Sequence, residues 1–247
     1  LGAGSTHEVS PIETTTYTVD VENEFGCLSS DQVLITVLEY PIANAGDDAE
    51  ICLGELYTLV GSGGSTYNWE GIGEGQSQEI QPDHTDIYIL TVTSSNDCSN
   101  TDEVTITVNP LPNVNAGDDV EICTGESATL HAVGGETYEW DNGIGEGQTQ
   151  EVEPLINTTY IVTASDLNLC QNSDTVVVTV NPLPAANAGP DQEICPGETT
   201  TISASGGDYY DWDQGLGEGQ GHDVSPETST VYTVTVYNDF NCGAEDD

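Results

Sequence analysis

Lysine and arginine are absent from all 247 residues, while aspartate and glutamate number 44 and leave a formal net charge of −44. A typical globular chain is about 25% Asp, Glu, Lys and Arg with both signs present, so complete loss of one sign over this length is a selected property. With no cation to neutralise phosphate, nucleic acid is excluded as a partner. Anionic membrane surfaces are disfavoured for the same reason. Salt bridges to Lys or Arg cannot form, so the carboxylates must be balanced by water or dissolved cations. Their mutual repulsion is screened within about 10 Å at 0.1 M salt, which suits a saline or divalent-rich medium. Trypsin-like proteases, which cut after Lys or Arg, find no site. Selection for protease resistance and selection for salty surroundings both fit this composition.

Other absences narrow the class further. No hydrophobic run approaches the roughly 20 residues of a membrane span, so membrane insertion is not expected. No signal peptide is visible, but the chain begins partway through a repeat and that absence carries no weight. There is no Cys-x-x-Cys of the kind that holds zinc. High net charge by itself suits a disordered chain. Against disorder stand alternating runs such as Tyr88-Ile89-Leu90-Thr91-Val92, and tryptophans and tyrosines at fixed intervals.

What is present is a repeat of about 71 residues. Asn-Ala-Gly at Asn44, Asn115 and Asn187 is followed by an acidic stretch and Glu-Ile-Cys, ending at Cys52, Cys123 and Cys195. Gly-Glu comes next, and about 17 residues after each cysteine stands a tryptophan, Trp69, Trp140 or Trp212. Then come Gly-(Ile/Leu)-Gly-Glu-Gly-Gln, a β-branched run opened by Tyr88, Tyr160 or Tyr232, and a second cysteine, Cys98, Cys170 or Cys242. The ranges are 1–40 (the rear of a truncated repeat, with Tyr17 and Cys27 in register), 41–112, 113–184, and 185–247, which lacks its last strand.

Seven cysteines in this arrangement predict one disulfide per domain: Cys52–Cys98, Cys123–Cys170 and Cys195–Cys242. Cys27 is then the odd one, with its partner upstream of Leu1. Disulfides imply an oxidising compartment. A domain of about 70 residues is near the size at which a core alone is marginal. Closing a loop of this length contributes roughly 4 kcal/mol in the chain-entropy model.

The coarse pattern is all-β. Strands are expected near 50–52 and over 57–61, 66–70, 78–81, 86–94 and 103–109, separated by Gly-rich turns. Tyr88, Leu90 and Val92 share one face, as do Val104, Ile106 and Val108, and Tyr67 and Trp69 point the same way. Short strands with Cys, Trp and Cys in that order predict an immunoglobulin-like sandwich. Each first cysteine precedes a Gly-Glu turn, so the expected bridge pins one end of the sandwich. Domains end in Asn109-Pro110-Leu111-Pro112 and Asn181-Pro182-Leu183-Pro184, with Tyr40-Pro41 before the first complete repeat. Such proline-rich joints are semi-rigid, and the expectation is an extended array of beads upwards of about 100 Å long.

The pattern Asn-Ala-Gly-x-Asp-x-x-Ile-Cys-x-Gly-Glu, then Gly-Gly-x-x-Tyr-x-Trp, then Thr-x-Tyr-x-Val, then Asn-Pro-Leu-Pro resembles the tandem immunoglobulin/PKD-like repeats of giant surface adhesins exported by the type IX secretion system. The resemblance covers the whole chain. It implies an extracellular, cell-surface stalk or filament used in attachment, gliding or cell–cell contact. Its partners would be neighbouring repeats of a longer chain, and another cell or a solid surface through a tip elsewhere.

Candidate sites are few. Asp47, Asp48 and Glu50 recur as Asp118, Asp119 and Glu121, and in part as Asp191 and Glu193. Oxygen ligands in such numbers suit Ca²⁺; the competing reading is a solvated acidic loop beside a turn. Tyr67 with Trp69, and their equivalents, read either as core or as a sugar-stacking platform. His7 and His222 stand where Gln78 and Gln150 stand, which argues against metal ligation; His84 and His131 are solitary. Catalysis is not expected of a repeated unit in which each copy does the same mechanical job. The expected function is therefore a stalk or filament segment of an adhesin. The alternatives are a protomer of a multi-chain fibre or hook (a homo-oligomer of several parallel copies), a carbohydrate-binding array, and an enzyme's accessory region.

Overall fold

The structure, a computed structural model, describes residues 2–247; Leu1, the first residue of the expected rear portion, lies outside the described residues. All regular structure among the described residues is β. The rear portion is a hairpin of β1 (Thr15–Glu22) and β2 (Leu28–Ile35). The first complete repeat holds β3 (Ala49–Cys52), β4 (Tyr57–Val60), β5 (Thr66–Trp69), β6 (Gly73–Glu74), β7 (Ser77–Ile80), β8 (Asp86–Thr93) and β9 (Ser99–Asn109). The second holds β10 (Val120–Cys123), β11 (Ala128–His131), β12 (Thr137–Trp140), β13 (Gly145–Glu146), β14 (Thr149–Val152), β15 (Thr158–Ser165) and β16 (Gln171–Asn181). The third holds β17 (Thr200–Ser203), β18 (Tyr209–Trp212), β19 (Gly217–Glu218), β20 (Gly221–Val224), β21 (Val234–Tyr237) and β22 (Gly243–Asp246).

Each complete repeat folds in the same way. In the first, one sheet has the order β3-β9-β8-β5-β6 and the second is the pair β4-β7. The pairing of β3 with β9 is parallel and the rest are antiparallel. Asn44 bridges to Ser62 just beyond β4. The entering segment thus touches one sheet before crossing to pair with the last strand of the other. Two sheets joined by such a crossing, with a buried tryptophan on a central strand, make an immunoglobulin-like sandwich.

The core follows from period-2 alternation. Leu59, Trp69, Leu90, Val92, Val104 and Ile106 form one buried cluster within the first complete repeat. A second cluster around Trp140, Val162 and Val178, and a third around Trp212, Val234 and Val236, each stay within one repeat. The chain divides into two compact units, Leu1–Pro110 and Leu111–Asp247, the second holding two repeats.

Two elements differ from expectation. The last strand starts at Ser99 rather than near 103, because the ladder with β8 continues to the pair Thr93–Ser99 at the hairpin itself. The Gly-rich loop after Trp69 carries the short strand β6, with Gly73 paired to Trp69. In the third repeat residues 191–195 form no strand. Their equivalents in the other repeats take hydrogen bonds from the far half of β9 or β16, and nothing up to Asp247 corresponds to that half.

A Gly-Gly pair locks each domain entrance. Gly134 has φ +97°, and a Cβ there would stand 1.9 Å from the carbonyl oxygen of Asn113. A Cβ on Gly135 would stand 2.6 Å from that of Ala164 on β15. Gly63 and Gly206 meet the carbonyls of Ile42 and Ala185 in the same way. The first glycine admits a left-handed backbone against the entering segment, and the second admits the central strand. Gly125 also has a positive φ, +89°, but open space around it. Gly134→Ala is therefore expected to cost about 3 kcal/mol or more in urea unfolding, against roughly 1 kcal/mol for Gly125→Ala. Equal costs would remove the close approach as the reason for the Gly-Gly pair.

Candidate functional site

The cysteines fall into two structural kinds. Cys52, Cys123 and Cys195 each stand at a turn that we term the base of a repeat. Cys52 is in register with Asn109, at the end of β9, and Cys123 with Asn181, at the end of β16. The Cys-x-Gly-Glu turn is closed by a bond from the Glu N–H to the Cys carbonyl: Glu55 to Cys52, Glu126 to Cys123 and Glu198 to Cys195. The same glutamate side chain accepts from the cysteine N–H at 2.9, 2.8 and 3.1 Å.

Cys27, Cys98, Cys170 and Cys242 are of the second kind, at the tip of the hairpin that precedes the last strand. The residue before each has a positive φ: Gly26, Asp97, Leu169 and Asn241. In three of these hairpins an Asx side chain four residues before the cysteine accepts from the cysteine N–H, with Asn23, Asp166 and Asn238 as acceptors.

These two kinds lie at opposite ends of one sandwich. Cys98 directly precedes β9 and Cys52 is paired with its last residue. Ten strand steps separate those ends, roughly 33 Å at about 3.3 Å per residue. A disulfide requires Cα atoms about 4.4–6.8 Å apart. The expected bridges Cys52–Cys98, Cys123–Cys170 and Cys195–Cys242 are therefore corrected. Cys123 is bonded to Cys242 of the following repeat, with 5.5 Å between Cα atoms and 119 residues between them in sequence. Cys52 and Cys170 are also disulfide-bonded, and Cys27, Cys98 and Cys195 are free. The bonded cysteines comprise two base and two hairpin residues.

Around Cys123–Cys242 the joint between the second and third repeats is tightly built. Thr124 donates to the Asn181 carbonyl from its N–H at 2.9 Å and its hydroxyl at 3.1 Å. The Cys242 sulfur lies 4.0 Å from the same oxygen, and Cys242 is fully buried. Asn238 of the hairpin donates to the Pro182 carbonyl at 2.7 Å. The third repeat is thus joined to the base of the second by a covalent bond at Cys123 and to its exit by a hydrogen bond at Pro182. Asn181 is the only buried polar residue among those described. Sequence reasoning passed over Asn181 and Asn238; the recurrence of Asn before Pro-Leu-Pro was the available signal.

Several of the acidic residues accept hydrogen bonds from within the fold. Asp48 takes the N–H of Thr105 and Asp119 that of Val177, each at 2.8 Å. Glu50 and Glu121 accept from the side chains of Asn109 and Asn181. Asp47, Asp118, Asp191 and Glu193 are exposed. Among the described residues no three acidic, His or Cys side chains converge where they could hold a metal ion. Asp102, Asp174 and Asp246 fasten the entering segment by accepting from Ala45, Ala116 and Ala188 at 2.8, 2.9 and 2.8 Å. For Asp174 the N–H groups of Ala116 and Thr175 hold the carboxyl below its ordinary value of 3.8. Its contribution is therefore complete above that value and lost as pH falls below it.

The aromatic pairs belong to the core. Trp69, Trp140 and Trp212 are buried. The indole N–H groups of Trp140 and Trp212 donate to Gly147 and Gly219, and the hydroxyls of Tyr67, Tyr138 and Tyr210 donate to carbonyls of the Gly-Gly turns. His84 contacts Asp83, and His131 meets Thr149 at 2.9 Å.

The chain matches no protein-family model and no curated protein. Among solved structures it is similar to the N-terminal eight immunoglobulin domains of Down syndrome cell adhesion molecule, at 15% identity and a TM-score of 0.36. That alignment covers 100% of this chain and 48% of the other, so the chain spans about half that structure's length. It is also similar to a three-immunoglobulin-domain segment of titin, at 11% identity and a TM-score of 0.40, covering 85% and 97%. A Ca²⁺-stabilised adhesin with which an Antarctic bacterium binds ice aligns at 13% identity and a TM-score of 0.32, covering 95% and 80%.

Non-reducing peptide mapping after cleavage at acidic residues is expected to recover Cys123 joined to Cys242, with Cys27, Cys98 and Cys195 alkylated. A Cys52–Cys98 or Cys195–Cys242 peptide would overturn the assignment of base and hairpin. A salt titration tests the uncompensated acids. The melting temperature is expected to rise with NaCl as repulsion is screened. The same titration with CaCl₂ at matched ionic strength decides the calcium expectation: a further, saturable rise supports it, and superimposable curves end it.

Proposed function

We propose that this chain is a load-bearing segment, a stalk or filament, of a large extracellular adhesin at the cell surface. The observation that carries the reading is the disulfide between successive repeats. It belongs in an oxidising compartment and serves continuity along an array rather than the stability of one bead. Three further features support it. Each repeat has its own core. In the aromatic pairs that a sugar-binding array would display, every tryptophan is buried and its tyrosine is buried or half-buried against the same core, which favours the stalk over that alternative. The acidic surface suits a hydrated, non-sticking spacer in saline surroundings. Export by the type IX route, attachment through a tip in a longer chain, and lateral association of copies into a fibre belong to this proposal as its finer points.

Antibodies raised against the chain test it on the producing cells. They are expected to label intact, unpermeabilised cells, and their Fab fragments to reduce attachment to a surface. Labelling that appears only after permeabilisation would sink the extracellular reading. Surface labelling with attachment untouched would leave a surface protein that is not an adhesin stalk.

A further inference from the structure

Cys195 repeats the base turn of Cys123, although residues 191–195 lack the strand pairing that Cys123 makes with Asn181. Its N–H is held by Glu198 as that of Cys123 is held by Glu126, at 3.1 and 2.8 Å. Both turns are closed by the same Glu N–H to Cys carbonyl bond. Cys123 is bonded to a hairpin cysteine of another repeat, whereas Cys195 is exposed with a free thiol. On the other side, Cys27 and Cys98 are hairpin cysteines with free thiols, built like Cys242 on a residue of positive φ. The three free cysteines are thus one base and two hairpins, complementary halves of a linkage that Cys123 and Cys242 have already made.

We propose that Cys195 is an acceptor site for the hairpin of another repeat of this kind, which it binds by forming a second base-to-hairpin disulfide. The inference rests on the Cys123–Cys242 junction and not on the adhesin reading. Recognition lies in the junction's chemistry. A hairpin cysteine turned out by its left-handed neighbour meets a base cysteine whose backbone is fixed by a glutamate. Two bases presented to one another lack the projecting hairpin, and two hairpins lack the receiving turn. The bond forms by thiol–disulfide exchange with glutathione disulfide as the oxidant. The Cys195 thiolate attacks glutathione disulfide, forming a mixed disulfide and releasing one glutathione. The hairpin thiolate then attacks the Cys195 sulfur and expels the second. Two protein thiols lose two protons and two electrons, and one glutathione disulfide becomes two glutathione molecules.

The test uses the 247-residue chain, with a second copy supplying the hairpin. Incubated in a glutathione redox buffer and then alkylated, the protein is separated without reduction and its cross-linked peptides are mapped. Cys195 joined to Cys27 or Cys98 is expected to exceed Cys195–Cys195 and hairpin–hairpin links by at least about tenfold. Cys195→Ser is expected to lose the cross-linked dimer. The double variant Cys27→Ser/Cys98→Ser loses it equally, leaving Cys195 as a glutathione mixed disulfide. The buried-tryptophan fluorescence of both variants checks that they remain folded. A predominance of Cys195–Cys195, a dimer that survives Cys195→Ser, or the absence of any cross-link would each overturn the proposal.

Discussion

Each of the three repeats is held shut by a carboxylate that accepts a backbone N–H from the entering segment. Asp102 on β9, Asp174 on β16 and Asp246 on β22 accept from the N–H of the alanine in the Asn-Ala-Gly step of the entering segment. Hydrogen bonds to a charged acceptor contribute about 1.5–3 kcal/mol, more than neutral ones. In a chain with no Lys or Arg, backbone amides are the main donors these acids can have within the fold. Asp48 and Asp119, just before β3 and β10, which accept from Thr105 and Val177 on the last strands, and Glu55, Glu126 and Glu198 at the base turns, follow the same rule. Part of the acidity is thus structural, and the remainder faces solvent, where only ions and water can balance it.

This bears on what the sequence could disclose. The repeat was legible because strand alternation and the Trp, Gly-Gly and Cys positions recur at fixed offsets. Burial then followed: Leu90 and Val92, and Val104 and Ile106, lie inward as alternation requires. The disulfides were not legible. Two cysteines some 47 residues apart look like the ends of one loop, and the composition offers no counter-signal. What separates them is the parallel pairing of β3 with β9, a non-local contact that carries the first cysteine to the far end of the domain. Period-2 patterning reports which face a residue occupies, and it is silent about direction along the sheet.

The acidic loops show a related limit. Asp48 and Glu50 read as oxygen ligands because residue type and density are all that a sequence shows. In the fold they accept from the Thr105 N–H and the Asn109 side chain, contacts that residue type and density do not announce. The proline joints were legible as boundaries, but the role of the residue before them was not. Asn181 ends a strand, receives Thr124, and lies under the sulfur of the next repeat's hairpin. A residue that ends one domain is in this way also a floor for another.

The Cys123–Cys242 bond makes the intervening chain a closed ring of 119 steps in sequence. A ring differs from a thread in how it tolerates damage. One peptide bond severed anywhere between these two cysteines opens the ring, yet both fragments stay attached through the sulfurs. Loss of the distal portion then requires a second cut outside the ring or reduction of the disulfide. Exposed turns such as the Leu167–Leu169 hairpin can therefore be nicked without parting the molecule.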